Sequence, residues 1–273
     1  MERREVDGWE LLEGGATERI RHRVLLLPAN MATAEFYRGM LEDPALAHAG
    51  VQALAATPPG FGGRPAPVGF PFTVDAYAEL VDEMARRESV DLLLGHSLSA
   101  HALIDVATYG RWRGALVLVA PALRPRDEEA SSRSLDRVSR VPVMAGAAWW
   151  AMLRALDFGM RGQLPETRRE ALVAEMRRNP GRVHRRWLIA GFNHLTRHRD
   201  LTPAVVAAAR PHPVALVRGT DDRVTLADDA RVTLATAGVR IVEVADAGHF
   251  VVVQRPEAVN AVVLGTLERG VPT

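Results

Sequence analysis

Short apolar runs alternating with segments of helical period constrain this 273-residue chain more than any other feature. Residues 24–27, 51–56, 92–94, 115–119 and 214–217 are continuous or nearly continuous apolar stretches, the pattern of strands buried on both faces, and 240–244 reads as a further strand. Between them lie helix-like segments such as 34–41, a helix starting at Thr73 or Asp75, the segment after Ser97, 225–237 and 256–267, the last with Pro256 at its first turn. Strand and helix in alternation at this spacing predict a mostly parallel sheet with helices on both faces. Ahead of it, residues 9–13 and 17–21 flank Gly14-Gly15 and read as an antiparallel hairpin at the sheet edge.

The alternation stops between 122 and 213. This segment carries many arginines, several helical patterns and no strand pattern. Its part 124–140 reads as polar and solvated; its part 144–160 is rich in Trp, Met and Leu. The expected organisation is a core of residues 1–121 and 214–273, with 122–213 inserted as a helical cap.

The remaining totals exclude more than they assign. A net charge of +1 gives no footprint for nucleic acid. The absence of cysteine rules out disulfides, thiolate metal sites and a cysteine nucleophile. The first 23 residues are charged and lack the apolar core of a secretory signal, and no run is long enough to span a bilayer. A cytoplasmic protein with no membrane or nucleic-acid partner is expected, acting on a small molecule.

Chemistry enters at three loops, each just past a strand. Gly95-His96-Ser97-Leu98-Ser99 follows the run 92–94 and opens a helix. That is the context in which a serine on a tight turn presents its hydroxyl to a cleft. Gly219-Thr220-Asp221-Asp222 and Gly248-His249-Phe250 follow the two last strands. In an open α/β sheet, ligands bind beyond the carboxyl ends of the strands, so Ser97, Asp222 and His249 are expected at one edge. A serine hydroxyl needs a base to become a nucleophile, and the base needs an orienting acid.

With Pro59-Gly60-Phe61-Gly62 added, these motifs resemble the α/β-hydrolase family over nearly the whole chain outside the insertion. The resemblance implies the α/β-hydrolase fold, with an eight-stranded, mostly parallel sheet and a helical cap. It implies a triad of Ser97, His249 and Asp222, with Asp221 left to solvent. It places the oxyanion on the backbone N–H groups of Leu98 and Asn30. Two positions depart from the family pattern. Ser99 stands where glycine is usual, and Pro28-Ala29 stands where His-Gly is usual.

A serine hydrolase of esters or lactones is implied, acting through an acyl-enzyme without a cofactor. The alternatives are acyl transfer, carbon–carbon bond hydrolysis or a cyclisation on the same scaffold, and a ligand-binding module that has lost catalysis. Epoxide and haloalkane hydrolases of this family use an aspartate where Ser97 stands. Phe61, Trp149, Trp150, Trp187 and Phe250 are the candidate substrate-binding residues, making an apolar pocket. His101 is expected on a helix surface. His184, His194 and His198 show no helical zinc motif or partner carboxylate in the sequence, so no metal site is expected.

Overall fold

Eight strands form one sheet in the order β1-β2-β4-β3-β5-β6-β7-β8 in the computed structural model, which describes residues 1–110 and 112–270. The strands are β1 (Glu2–Val6), β2 (Trp9–Gly15), β3 (His22–Leu27), β4 (Val51–Thr57), β5 (Leu92–His96), β6 (Ala115–Val119), β7 (Val214–Gly219) and β8 (Arg240–Val244). From β4 to β8 across the sheet every pairing is parallel; β1 and β2 pair antiparallel at one edge.

The edge hairpin is not the expected one. It turns at Asp7-Gly8, whose φ values are 47° and 82°. Two positive φ angles are what a two-residue turn between twisted strands requires, and Asp-Gly supplies them. Gly14 and Gly15 instead end β2 in tight quarters. A Cβ on Gly15 would lie 2.3 Å from the Val51 carbonyl oxygen, and one on Gly14 would lie 2.7 Å from that of Leu41. These glycines permit close packing and make no turn.

The alternating side chains of the central strands divide into two cores. Leu25, Leu27, Leu93, Leu116, Leu118 and Leu216 face one side; Val24, Leu26, Leu92, Leu94, Val117 and Val217 face the other. The helices in chain order are α1 (Arg38–Leu41, after a 3-10 turn at Ala34–Tyr37), α2 (Pro44–His48), α3 (Val74–Arg87), α4 (Leu98–Tyr109), α5 (Ala130–Ser139), α6 (Pro142–Gly159), α7 (Glu166–Met176), α8 (Gly181–His198), α9 (Thr202–Ala208), α10 (Asp228–Thr236), α11 (Val251–Gln254) and α12 (Pro256–Leu267). Thr73 caps α3 by accepting from the Ala76 N–H at 3.2 Å, and the helix then buries Val74, Tyr77, Val81 and Met84. Among the described residues no helix is long and apolar enough to cross a membrane.

Five helices, α5 to α9, separate β6 from β7. The last, α9, packs with α4 and α10 and contributes Val205 and Ala208 to the first core. Helices α5, α6 and α8 pack on one another above the carboxyl edge. Helix α8 is tied to the loop after β4: Trp187 Nε1 donates to Gly60 O at 3.0 Å, Asn179 Nδ2 donates to the same oxygen at 3.1 Å, and Gly63 N donates to Asn179 Oδ1 at 2.8 Å. Beneath this tie Trp187 is fully buried against Phe61 and Tyr77.

The direction in which strands are added across the sheet reverses at β3. The connection from β3 leads to β4 on one side, and β5 then pairs on the other. A crevice opens at such a switch point, beyond the strand ends. The loops after β3 and β5, which hold Asn30 and Ser97, both leave from it.

Candidate active site

Ser97 occupies the turn between β5 and α4 with φ 54° and ψ −113°. A non-glycine residue there carries strain on the order of 1–3 kcal/mol, held by its surroundings. The Ser97 N–H donates to Val119 O at 2.8 Å, and the Ala100 N–H donates to Ser97 O at 2.9 Å. Gly95 lets strand and helix meet: a Cβ there would sit 2.8 Å from the backbone of Ser99. The Ser97 hydroxyl makes no hydrogen bond to His249 or to any other described residue, but both side chains line one cavity. Such contacts are often long before substrate binds.

Asp222 and His249 come from the loops after β7 and β8. His249 Nδ1 lies 3.2 Å from each oxygen of Asp222, whose Oδ1 also accepts from the Val224 N–H at 2.9 Å. Gly219 makes this possible, since a Cβ would fall 1.9 Å from Ala247 O. Burial works against the Asp222 carboxylate, but the His249 hydrogen bond and charge outweigh it and hold the group below its usual range. Burial likewise opposes the His249 imidazolium, and Asp222 overrides it, aided by Glu128 and Glu129, so His249 is raised. Asp221 is exposed, and among the described residues its carboxylate makes no hydrogen bond to His249.

His96 is buried and drives its Nε2–H into the His249 carbonyl at 2.8 Å. Burial and the nearby His249 push it down to about 3, so it stays neutral and anchors the histidine loop. Two backbone N–H groups at the same place, those of Leu98 and Asn30, donate to no other described residue.

The cavity measures about 720 Å³ and includes Ser97, Leu98, Asn30 and His249 in its wall. Trp149 and Met152 of α6, Trp187 and Phe192 of α8, and Phe250 supply apolar lining. Two expected pocket residues are absent from it. Phe61 is fully buried beneath, with its ring centroid 4.8 Å from that of Trp187. Trp150 is 64% exposed, stacked under Arg154. Successive helical residues point about 100° apart, so with Trp149 turned inward Trp150 faces out.

One wall of the cavity is polar, against expectation. Glu128, Glu129, Ser131, Ser132 and Ser134 line it, from the stretch read as solvated. Glu129 pairs with Arg223 at 3.0 Å; the Glu128 carboxylate pairs with no described residue. Burial raises the Glu128 carboxyl above the usual range, against the attraction of His249. Glu128→Gln should therefore lower the His249 pKa, since it removes a nearby negative charge. The acid limb of kcat/KM against pH then moves to lower pH with the plateau little changed. The substitution also removes an acid whose folded pKa lies above its unfolded one. Such an acid costs stability above that range, so the variant should melt higher than the parent at neutral pH. The difference should vanish once pH falls below the unfolded value.

His101 and His184 are structural. His101 is buried, not on a surface, and donates to Ala122 O at 2.8 Å. His184 donates to Met176 O at 2.9 Å and stacks on Trp149. The fold does bring a carboxylate to the other pair: Asp105 Oδ2 lies 3.8 Å from His194 Nδ1. The Arg197 guanidinium already faces these groups, 3.3 Å from His194 Nδ1 and 3.2 Å from His198 Nε2, and holds Asp75 at 2.5 Å. A cation therefore already sits beside these ligand atoms.

A sequence model of the alpha/beta hydrolase family matches residues 24–262. No curated protein matches the chain. Among solved structures, a hydrolase from Pseudomonas aeruginosa is 23% identical, with a TM-score of 0.69 over 95% of this chain and 94% of that one. An esterase from Thermogutta terrifontis is 18% identical, with a TM-score of 0.70 over 98% and 99%. An epoxide hydrolase from Mycobacterium thermoresistibile is 19% identical, with a TM-score of 0.74 over 99% of each chain. At these identities the likeness is one of fold.

Proposed function

Since the chain belongs to the α/β-hydrolase family, we propose that it is a serine hydrolase that cleaves a carboxylic ester or lactone through an acyl-enzyme. One observation carries this reading. A strained serine shares a cavity with an Asp-oriented histidine and with two backbone N–H groups that have no other acceptor.

Each step has a group to perform it. Ser97 Oγ attacks the substrate carbonyl carbon while His249 Nε2 takes the hydroxyl proton. Asp222 holds the imidazole in the tautomer that accepts there and stabilises the imidazolium. The carbonyl electron pair moves to oxygen, where the N–H groups of Leu98 and Asn30 receive it. Collapse breaks the carbon–oxygen bond of the leaving group, which takes the proton back from His249. Water, deprotonated by His249, then attacks the acyl carbon; collapse breaks the acyl–Oγ bond, His249 returns the proton to Ser97 Oγ, and the acid product leaves. This chemistry calls on no cofactor. An ester relative is favoured over an epoxide hydrolase because the nucleophile is a serine, not the aspartate those relatives carry at this point.

The reading is tested with a panel of 4-nitrophenyl esters and lactones under pre-steady-state conditions. A burst of nitrophenol equal to the enzyme concentration supports an acyl-enzyme. Turnover of none of the panel, with no burst, counts against it.

The apolar roof sets an expectation for acyl preference. Each buried methylene contributes about 0.8 kcal/mol, so kcat/KM should rise about fourfold per methylene until the cavity is filled. Trp149 is 3% exposed and fixed by its Nε1–H donating to Ser139 Oγ at 2.8 Å. Trp149→Ala should flatten the chain-length dependence. Trp150→Ala, on the outer face, should leave the series unchanged.

A further inference from the structure

We propose that Ser99 and Tyr77 are positioning residues that fix the oxyanion-binding N–H of Asn30 through the carbonyl of Pro28. The inference rests on the serine-hydrolase reading above.

The two departures from the family pattern meet in one hydrogen bond. Ser99 Oγ donates to Pro28 O at 2.5 Å, and Tyr77 Oη lies 3.0 Å from the same Ser99 oxygen. Both side chains are fully buried. The direction of this chain follows from its chemistry. A carbonyl only accepts, so the single Ser99 hydroxyl proton goes to Pro28, and the Tyr77–Ser99 bond must use the Tyr77 proton. The Tyr77 ring packs against both Phe61 and Trp187, with centroids at 5.3 and 5.4 Å, in a mutual cluster of three rings. The origin of the chain is therefore rigid.

At its other end the chain completes a run of anchored carbonyls. Leu27 O accepts from Tyr37 Oη at 2.6 Å, Pro28 O accepts from Ser99, and Ala29 O accepts from the Ala32 N–H at 3.0 Å. All peptide bonds among the described residues are trans. In a trans peptide the N–H points opposite to the C=O, so the Ala29 carbonyl, held by the Ala32 N–H, directs the Asn30 N–H the other way, and the Ser99 bond fixes the preceding Pro28–Ala29 peptide from which that plane departs. Pro28 has no N–H and cannot extend the ladder beyond the Leu27–Gly95 pair. Its carbonyl is the link in this run held by a side chain of the elbow helix itself. Ser99 stands two residues after Ser97, so one hydroxyl ties the nucleophile's helix to the loop bearing the second donor. Two donors must hold a fixed spacing to serve one oxygen, which is what such a tie provides.

Ser99→Ala, Tyr77→Phe and the double variant test this in the full chain. The readouts are 4-nitrophenyl ester kinetics, affinity for an aryl boronic acid that forms a tetrahedral adduct on Ser97, and affinity for the carboxylate product. Losing one such bond should lower kcat about three- to tenfold for Ser99→Ala. KM should stay within about twofold. Boronate affinity should fall by the same factor as kcat/KM, while product affinity holds. Tyr77→Phe should show a smaller loss in the parent and none in the Ser99→Ala background, because both act through one chain.

Unchanged kcat and boronate affinity in an active protein would overturn the proposal while leaving the hydrolase reading intact. So would a loss confined to KM, or a fall in melting temperature with boronate affinity retained. A parent protein that neither turns over esters nor binds boronate at Ser97 would instead sink the hydrolase reading, and this inference with it.

Discussion

Ser97→Ala should abolish labelling by a fluorophosphonate probe and lower ester turnover by about 10⁴-fold or more, leaving only what the cavity and its N–H donors supply. Mass spectrometry of the labelled parent should place the phosphonate on Ser97 alone. Ser99 is no substitute nucleophile. It is fully buried, and its proton is committed to Pro28. Ser97→Gly adds a second measurement. Glycine adopts a φ of 54° without the penalty serine meets there, so this variant should be as inactive as Ser97→Ala and yet melt higher. Labelling that persists in either variant would remove Ser97 from the mechanism.

Asp222→Asn should cost on the order of 10⁴ in kcat, and Asp221→Asn less than about tenfold. The amide introduced by Asp222→Asn matches the carboxylate in size but offers a donor toward His249 Nδ1. The imidazole then carries its proton on Nε2, where it cannot accept one from Ser97. The carboxylate also supplies the charge that raises His249. Asp221 lies exposed, and only its N–H, donating to Ala247 O at 2.9 Å, binds the histidine loop. That bond survives substitution. If Asp221→Asn proves the more damaging, the acid has been assigned to the wrong neighbour.

The parts of the fold written in local pattern were legible from the residues. The central strands are continuous apolar runs because both faces are buried, and the three loops carry small residues where backbones touch. Even Gly219 could be anticipated as a glycine, though not the carbonyl it makes room for. The edge hairpin was legible too, but at Asp7-Gly8, a stronger turn signal than Gly14-Gly15. Diglycine can mean a turn or a close approach, and only the neighbours of β2 decide between them. The cavity wall was harder. Whether Trp149 or Trp150 turns inward depends on the rotation of α6, which its apolar sequence leaves open. Glu128 lay in an arginine-rich stretch, where a charged residue ordinarily faces water. Ser99 and Pro28 were each visible as departures. Their hydrogen bond joins residues 71 positions apart, and only the parallel pairing of β3 with β5 brings them together.

The tie between α8 and Gly60 divides the helices over the cavity by how freely they can change. Trp187 fills the core below the site and gives its N–H to a loop on the sheet, so α8 is at once roof and foundation. A substitution that reshaped it would be paid for in folding. Helix α6 carries less of that obligation: it buries Ala145, Trp149 and Leu156, but Val143, Trp150 and Phe158 on it stand in solvent, and Trp149 and Met152 face the cavity. New substrate preferences can therefore accumulate on α6 and the adjoining α5 without passing through unstable intermediates. Across descendants of this chain, divergence in what is hydrolysed should be recorded there, and the machinery that hydrolyses it left alone.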